Sequence, residues 1–211
     1  MSVCLRPAVP SDLPALGRVA YTTGFFGDSA ACYFPDQRLF ALLWVWPYLH
    51  GGGGPGCRVA EDERGQLLGY VLGASQPGRY RAALAQAAAL GLLASVGGEV
   101  RRPLACGGHL LRLGHFAGPH ASEEVYPAHL HLNLLPAARG LGLGRTLLTA
   151  HLEALRAAEV PGVQLSTTAE NVAALRLYRR CGFEVLARQQ TDLWQPWLGR
   201  PTEQLTLGLR L

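Results

Sequence analysis

The stretch from Ala128 to Thr146 constrains the fold more than any other part of the chain. Ala128-His-Leu-His-Leu-Asn-Leu-Leu135 alternates in character, the two-residue period of a half-buried strand. Pro136 closes it, and the turn Arg139-Gly-Leu-Gly-Leu-Gly-Arg-Thr146 follows. Glycines at 140, 142 and 144 let the backbone approach a ligand with no side chain in the way. Leu143, Leu147, Leu148, Leu152 and Leu155 then recur at helical spacing. Strand, glycine turn and helix in that order aim the unpaired N–H groups of a helix start at one place, and those groups favour an anion. Two phosphate loops are excluded by spacing. A Gly-x-Gly-x-x-Gly fingerprint meets Arg145 or Leu147, depending on register, where its third glycine belongs. A Walker loop needs a lysine, and the chain has none.

A second motif lies downstream. Asn171-Val-Ala-Ala-Leu-Arg-Leu-Tyr178-Arg-Arg-Cys-Gly-Phe183 reads as one helix. Asn171 suits the N-cap, where its side-chain oxygen accepts a first-turn N–H, and Gly182 suits the left-handed C-terminal position. Asn171, Ala174 and Tyr178 are three, then four residues apart, so they share one face.

Composition limits the alternatives. The 211 residues are 49% hydrophobic and 16% charged, enough for one domain with its own core and unlike a disordered chain. All 19 basic residues are arginine; the net charge of +4 assists an anionic cofactor but is too small to imply nucleic acid as a partner. Cys4, Cys32, Cys57, Cys106 and Cys181 are scattered without a Cys-x-x-Cys pair, which argues against a disulfide framework or zinc. There is no charged-then-apolar leader. The longest apolar run, Ala82 to Val96, is broken by Gln86 and Gly91 and falls short of the ~20 residues of a membrane span. A cytoplasmic protein without a membrane partner is expected.

Seven strands are expected: around Val3 and Leu5, and at 58–61, 67–74, 128–134, 163–167, 183–188 and 204–210. Helices are expected after a Ser11 cap, at 37–46 with Pro47 as its end, at 142–158 and over the second motif. Gly51 to Gly56 must be mobile or sharply turned. Residues 75–126 form an insertion between the third and fourth strands. A helix is expected at 79–93, and the remainder is unassigned.

Arg139-x-x-Gly142-x-Gly144 resembles the Arg/Gln-x-x-Gly-x-Gly/Ala signature of the GNAT N-acetyltransferase superfamily, whose loop holds the pyrophosphate of coenzyme A. The second motif matches that superfamily's Asn-x-x-Ala-x-x-x-Tyr-x-x-x-Gly-Phe element residue for residue. The resemblance implies an α/β fold: a twisted, mixed but mostly antiparallel sheet of about seven strands flanked by helices, here with a helical insertion. The fourth and fifth strands would splay, with the pantetheine arm between them. It implies acetyl-CoA as cofactor, contacted by Leu134, Leu135, Arg139, Gly140, Leu141, Gly142, Leu143, Gly144, Arg145, Thr146, Asn171, Ala174 and Tyr178. The segment Tyr126 to Pro136 also resembles a narrower group, stand-alone bacterial members and the acetyltransferase-like domain of O-GlcNAc hydrolases. That group often carries Asp where this chain has Asn133, and an amide cannot act as a base.

The implied activity is acetyl transfer to a primary amine of a small molecule or an exposed peptide or protein amine, by direct attack on the thioester. The alternatives are a non-catalytic acyl-CoA-binding module and an interaction domain without cofactor. Tyr178 is the expected general acid toward sulfur, and a backbone N–H near Leu134 or Leu135, at a bulge, the oxyanion donor. His129 and His131 point to the same strand face and titrate near neutrality, so either suits the base; two structural histidines or a metal pair are the other readings, and Glu123, Glu124 and Asp192 are alternative bases. Tyr33, Trp44, Trp46, Asp192 and Trp194 are expected at the acceptor mouth, with Tyr48, Asp28 and Trp197 nearby. A homodimer through the C-terminal strand is a further expectation.

Overall fold

The computed structural model describes residues 2–211. Seven strands form one sheet: β1 (Val3–Pro7), β2 (Arg58–Asp62), β3 (Leu67–Ala74), β4 (Ala128–Leu134), β5 (Gly162–Thr168), β6 (Glu184–Thr191) and β7 (Thr202–Arg210). Their order is β1-β2-β3-β4-β5-β7-β6. All neighbours are antiparallel except β4 and β5, which run parallel. This is the fold class expected. Because β7 lies between β5 and β6, both its edges are already paired. The expected dimer through that strand therefore has no free strand edge to use, and β1 and β6 are the outer strands.

The helices are α1 (Leu13–Thr23), α2 (Gln37–Trp44), α3 (Trp46–Leu49), α4 (Pro77–Val96), α5 (Pro103–His115), α6 (Leu143–Ala157), α7 (Val172–Arg180) and α8 (Gln195–Leu198). Three departures from expectation have local causes. Ser11 is not the cap of α1; Pro10–Asp12 forms a 3₁₀ turn whose Asp12 carboxylate accepts the Val9 N–H at 2.9 Å and pairs with Arg6. Pro47 does not end a helix. The break falls at Val45, and Pro47 sits in the first turn of α3, where its missing N–H leaves no bond unmade. The helix expected in the insertion, α4, is longer than expected, and the unassigned remainder holds a second helix, α5, which begins behind Pro103.

The core lies on both sides of the sheet. One cluster joins α1 and α2 to β2 and β3 through Leu16, Val19, Phe34, Phe40, Val59, Tyr70 and Leu72, and reaches Cys106 on α5. The other joins α6 and α7 to β4, β5 and β7 through Leu148, Leu152, Leu155, Leu175, Tyr178, Leu205 and Leu207. The 51–56 loop is sharply turned and closely packed: a Cβ on Gly53 would stand 2.1 Å from the Tyr48 carbonyl oxygen.

Candidate active site

The site begins where the sheet opens. β4 and β5 pair only at Ala128↔Val163 and His129↔Gln164, so from Leu130 onward β4 has no β5 partner. On its other side β4 pairs with β3 without interruption from Ala74↔His129 to Gly69↔Leu134. The bulge expected in β4 is absent. The Leu135 N–H donates to the Leu68 carbonyl at 2.8 Å, which removes it as an oxyanion donor. Main-chain groups of a strand alternate between its two neighbours. With Leu135 turned to β3, the N–H groups of Leu132 and Leu134 face the gap.

The glycine turn closes one end of the gap. Gly142 adopts φ 77° and caps α6, with open space where a Cβ would be. A side chain would strain that backbone; glycine does not. Leu143 and Gly144 begin the helix, so their N–H groups have no preceding turn to bond. Leu141, Arg145 and Thr146 are exposed around this end, and the Thr146 hydroxyl donates to the Gly142 carbonyl at 3.3 Å. Gly144 is buried against Leu177 and Leu134. The Arg139 guanidinium turns away from the amides: it donates to the carbonyls of Gly27 at 2.5 Å and Leu134 at 3.4 Å. Its backbone opens the loop while its side chain ties the loop to the segment after α1.

A cavity of about 280 Å³ runs through the gap. Asn171, Ala174 and Tyr178 line one wall, with β5 residues Leu165 to Thr168 beside them. Asn171 caps α7 as expected, accepting the Ala174 N–H at 3.3 Å. Burial raises the Tyr178 phenol well above its ordinary value, so the hydroxyl keeps its proton. The opposite wall holds Phe26, Tyr33, Phe40, Trp44 and Trp194. Tyr33 and Trp194 meet edge to face at 5.1 Å, and Trp44 stacks on Phe40 at 4.4 Å. Among the described residues, no charged side chain lines the cavity.

The structure separates the candidate bases and acceptor residues. His131 lines the cavity, but burial holds its imidazole down at about 4. His129 points to the same face yet lies beyond the cavity, against Tyr48 and Tyr80, with Nε2 buried and unpaired. Burial and then the neighbouring His131 push it to about 3. Glu123 and Glu124 are exposed, and Glu123 pairs with Arg81 at 2.7 Å. Trp46 is not at the mouth; it stacks on His50 at 4.2 Å. Asp192 is outside too, in a separate hollow with Phe116 and Pro201. Its carbonyl oxygen and that of Leu193 accept from Arg112 of α5. Among the described residues, no group of His, Cys, Asp or Glu could hold a metal.

His109 was not legible in the sequence. It sits on α5, 5% exposed, lining the cavity with its ring 4.4 Å from that of Tyr33 and its Nδ1 unpaired. Burial lowers it to about 4. A lone histidine between Gly108 and Leu110 in an insertion of unassigned structure carries no spacing signal; only the docking of α5 brings it here.

Comparison with known proteins agrees with this geometry. A family model described as the acetyltransferase (GNAT) family matches residues 25–183, which is 159 of the 211. A mycothiol acetyltransferase of Streptomyces avermitilis is 38% identical over 79 residues, a match covering 37% of this chain and about a quarter, 24%, of that protein. The crystal structure of SsHAT superposes with a TM-score of 0.65 at 25% identity, over 100% of this chain and 98% of that one. A phosphinothricin acetyltransferase of Sinorhizobium meliloti, solved in complex with acetyl-CoA, superposes at 0.62 with 18% identity, over 100% of this chain and 89% of that one. The open turn at Gly142, the unpaired amides of α6 and the gap between β4 and β5 fit such a cofactor. The chain belongs to the acetyltransferase (GNAT) family.

Proposed function

We propose that the protein transfers an acetyl group to the primary amine of a small acceptor with an aromatic or apolar body. One observation carries this reading: a single cavity is walled by Tyr178, Ala174 and Asn171 on one side and by Phe26, Tyr33, Trp44 and Trp194 on the other. Bound acetyl-CoA would supply the activated acyl group. The first-turn amides of Leu143 and Gly144 would hold its diphosphate, with the exposed Arg145 and Thr146 beside them. The Leu134 N–H, free in the gap, is the donor best placed for a developing oxyanion. Tyr178 Oη holds a proton for the departing sulfur.

The uncharged lining bears on the acceptor. A protonated amine would lose its hydration with no carboxylate to replace it. The acceptor therefore binds as the free amine, having released its proton to solvent, and no base in the cavity need titrate near neutrality. His131 is neutral there and accepts a hydrogen bond from the amine. Relatives named for mycothiol acetylation support a small-molecule acceptor over a protein.

The test is a panel of amines, from 2-phenylethylamine to spermidine, with acetyl-CoA and detection of free thiol. Arylalkylamines should turn over and the polycation should not; preference for spermidine would overturn the assignment. With an active acceptor, log kcat/KM should rise with slope one up to the amine's own pKa. A plateau well below the amine's own pKa would instead implicate a base in the cavity.

A further inference from the structure

We propose that the outer face of α4 is a homodimer interface, on which α4 of a second copy packs antiparallel about a two-fold axis at Ala89. Helix α4 turns Ala83, Ala87 and Gly91 inward; Gly91 lies so close to Leu39 of α2 that a Cβ would come within 2.7 Å of it. Directly opposite stand Ala82, Ala85, Ala89, Leu92 and Val96, all exposed. Their spacing is three, four, three, four, the seam of a two-helix coiled coil. No ionisable side chain occurs between Arg81 and Glu99. Leu92 is 66% exposed, Leu93 68% and Val96 82%, and α5 adds Leu104 and Leu111 to the same insertion. A helix apolar on its solvent side as well as its packed side is one that something covers.

The seam is complementary to itself in one orientation. Its small residues lie in the N-terminal half and its large ones in the C-terminal half. Antiparallel pairing about Ala89 sets Ala82 against Val96 and Ala85 against Leu93, one residue on from Leu92, so bulky side chains meet small ones and the helices can approach closely. Parallel pairing would put Val96 on Val96 and leave a void between the Ala82 residues. The antiparallel arrangement also brings Arg81 of each copy to the Glu99 end of the other, and a two-fold axis makes that contact twice. Arg81 already pairs with Glu123 but remains 63% exposed, so donors are free for a second carboxylate. A surface without charge suits self-association of a chain with net charge +4, since the two copies present no like charges where they meet.

Sedimentation velocity and light scattering over micromolar to submillimolar concentrations test this. The protein should approach twice its 22.6 kDa mass. Ala89→Glu sets two carboxylates on the axis and should give a monomer with an unchanged circular dichroism spectrum. Ala89→Cys, in a chain whose exposed Cys4 and Cys32 are serine, should form a disulfide-linked dimer with diamide. A wild-type monomer throughout would overturn the proposal. So would a dimer insensitive to Ala89→Glu, a dimer that Ala89→Cys fails to cross-link, or a monomer that floats with neutral phosphatidylcholine vesicles.

Discussion

Asn133 shows how a single atom decides a residue's role. It lies on β4 at the cavity wall, and its amide is fully employed. Its Oδ1 accepts from the Tyr70 hydroxyl at 3.0 Å, and its Nδ2 donates to the Thr23 hydroxyl at 2.7 Å. Thr23 has already given its own proton to the Val19 carbonyl at 2.7 Å, so at this position it can only accept. A carboxylate here would place two acceptors face to face. Asn133→Asp should therefore cost about 1–3 kcal/mol in unfolding free energy, measured by urea titration, without creating a base. Gly53 illustrates the same kind of dependence in packing. With the Tyr48 carbonyl where its Cβ would go, Gly53→Ala should cost about 1–3 kcal/mol. From the sequence the loop could only be described as mobile or sharply turned. Which of the two holds depends on Tyr48 and Ser75, neighbours that the fold supplies. Tyr178→Phe should lower kcat about 100-fold or more while acetyl-CoA still raises Tm; unchanged turnover would remove Tyr178 as the acid.

Among elements, the insertion contributes most beyond its own packing. α4 leans on α2 and α3, and α5 carries His109 and Leu113 into the cavity wall. Arg112, one turn on from His109, donates to the carbonyls of Asp192 and Leu193 and lies 4.7 Å from the Phe116 ring. It thereby fixes the connection that bears Trp194. Arg112→Ala should raise the acceptor KM several-fold and leave kcat within about twofold, because it loosens a binding wall and touches no reacting atom. The alternation of β4 and the helical pattern of α6 were legible because each buries one face against a large core, and β3 was legible as an apolar run, buried on both faces, after an acidic turn. α5 was not, because Pro103-Leu-Ala-Cys-Gly-Gly-His-Leu-Leu has two glycines and exposed leucines, and its inward face is only Cys106 and His109. Pro47 misled for a related reason: proline stops one helix and starts another equally well, and only the chain direction after Val45 decides which.

At the scale of the whole molecule, four histidines among the described residues are held neutral by burial. Burial lowers His129 to about 3, His131 and His109 to about 4, and His151 as well. In the unfolded chain each binds its proton near 6.5. Between about pH 6.5 and 4 the unfolded state therefore holds more protons than the native one, and stability falls as pH falls through that window. Each histidine contributes at most about 1.4 kcal/mol per pH unit. Urea midpoints should drop steeply from pH 6.5 to 4.5 and stay nearly flat from 7 to 8. Replacing His109 with Phe should reduce the acid slope.

The sequence by itself determined the glycine turn before α6, the Asn171-Ala174-Tyr178 face and the seven strands, because each is written locally: an alternating or short apolar run, a period of 3.6, or glycine at a helix start. It could not say which strand face meets which helix, nor which histidine reaches the cavity. Those depend on long-range contacts. His131 and His129 are identical in pattern, and only the place where β5 leaves β4 puts one in the cavity and the other beneath Tyr80.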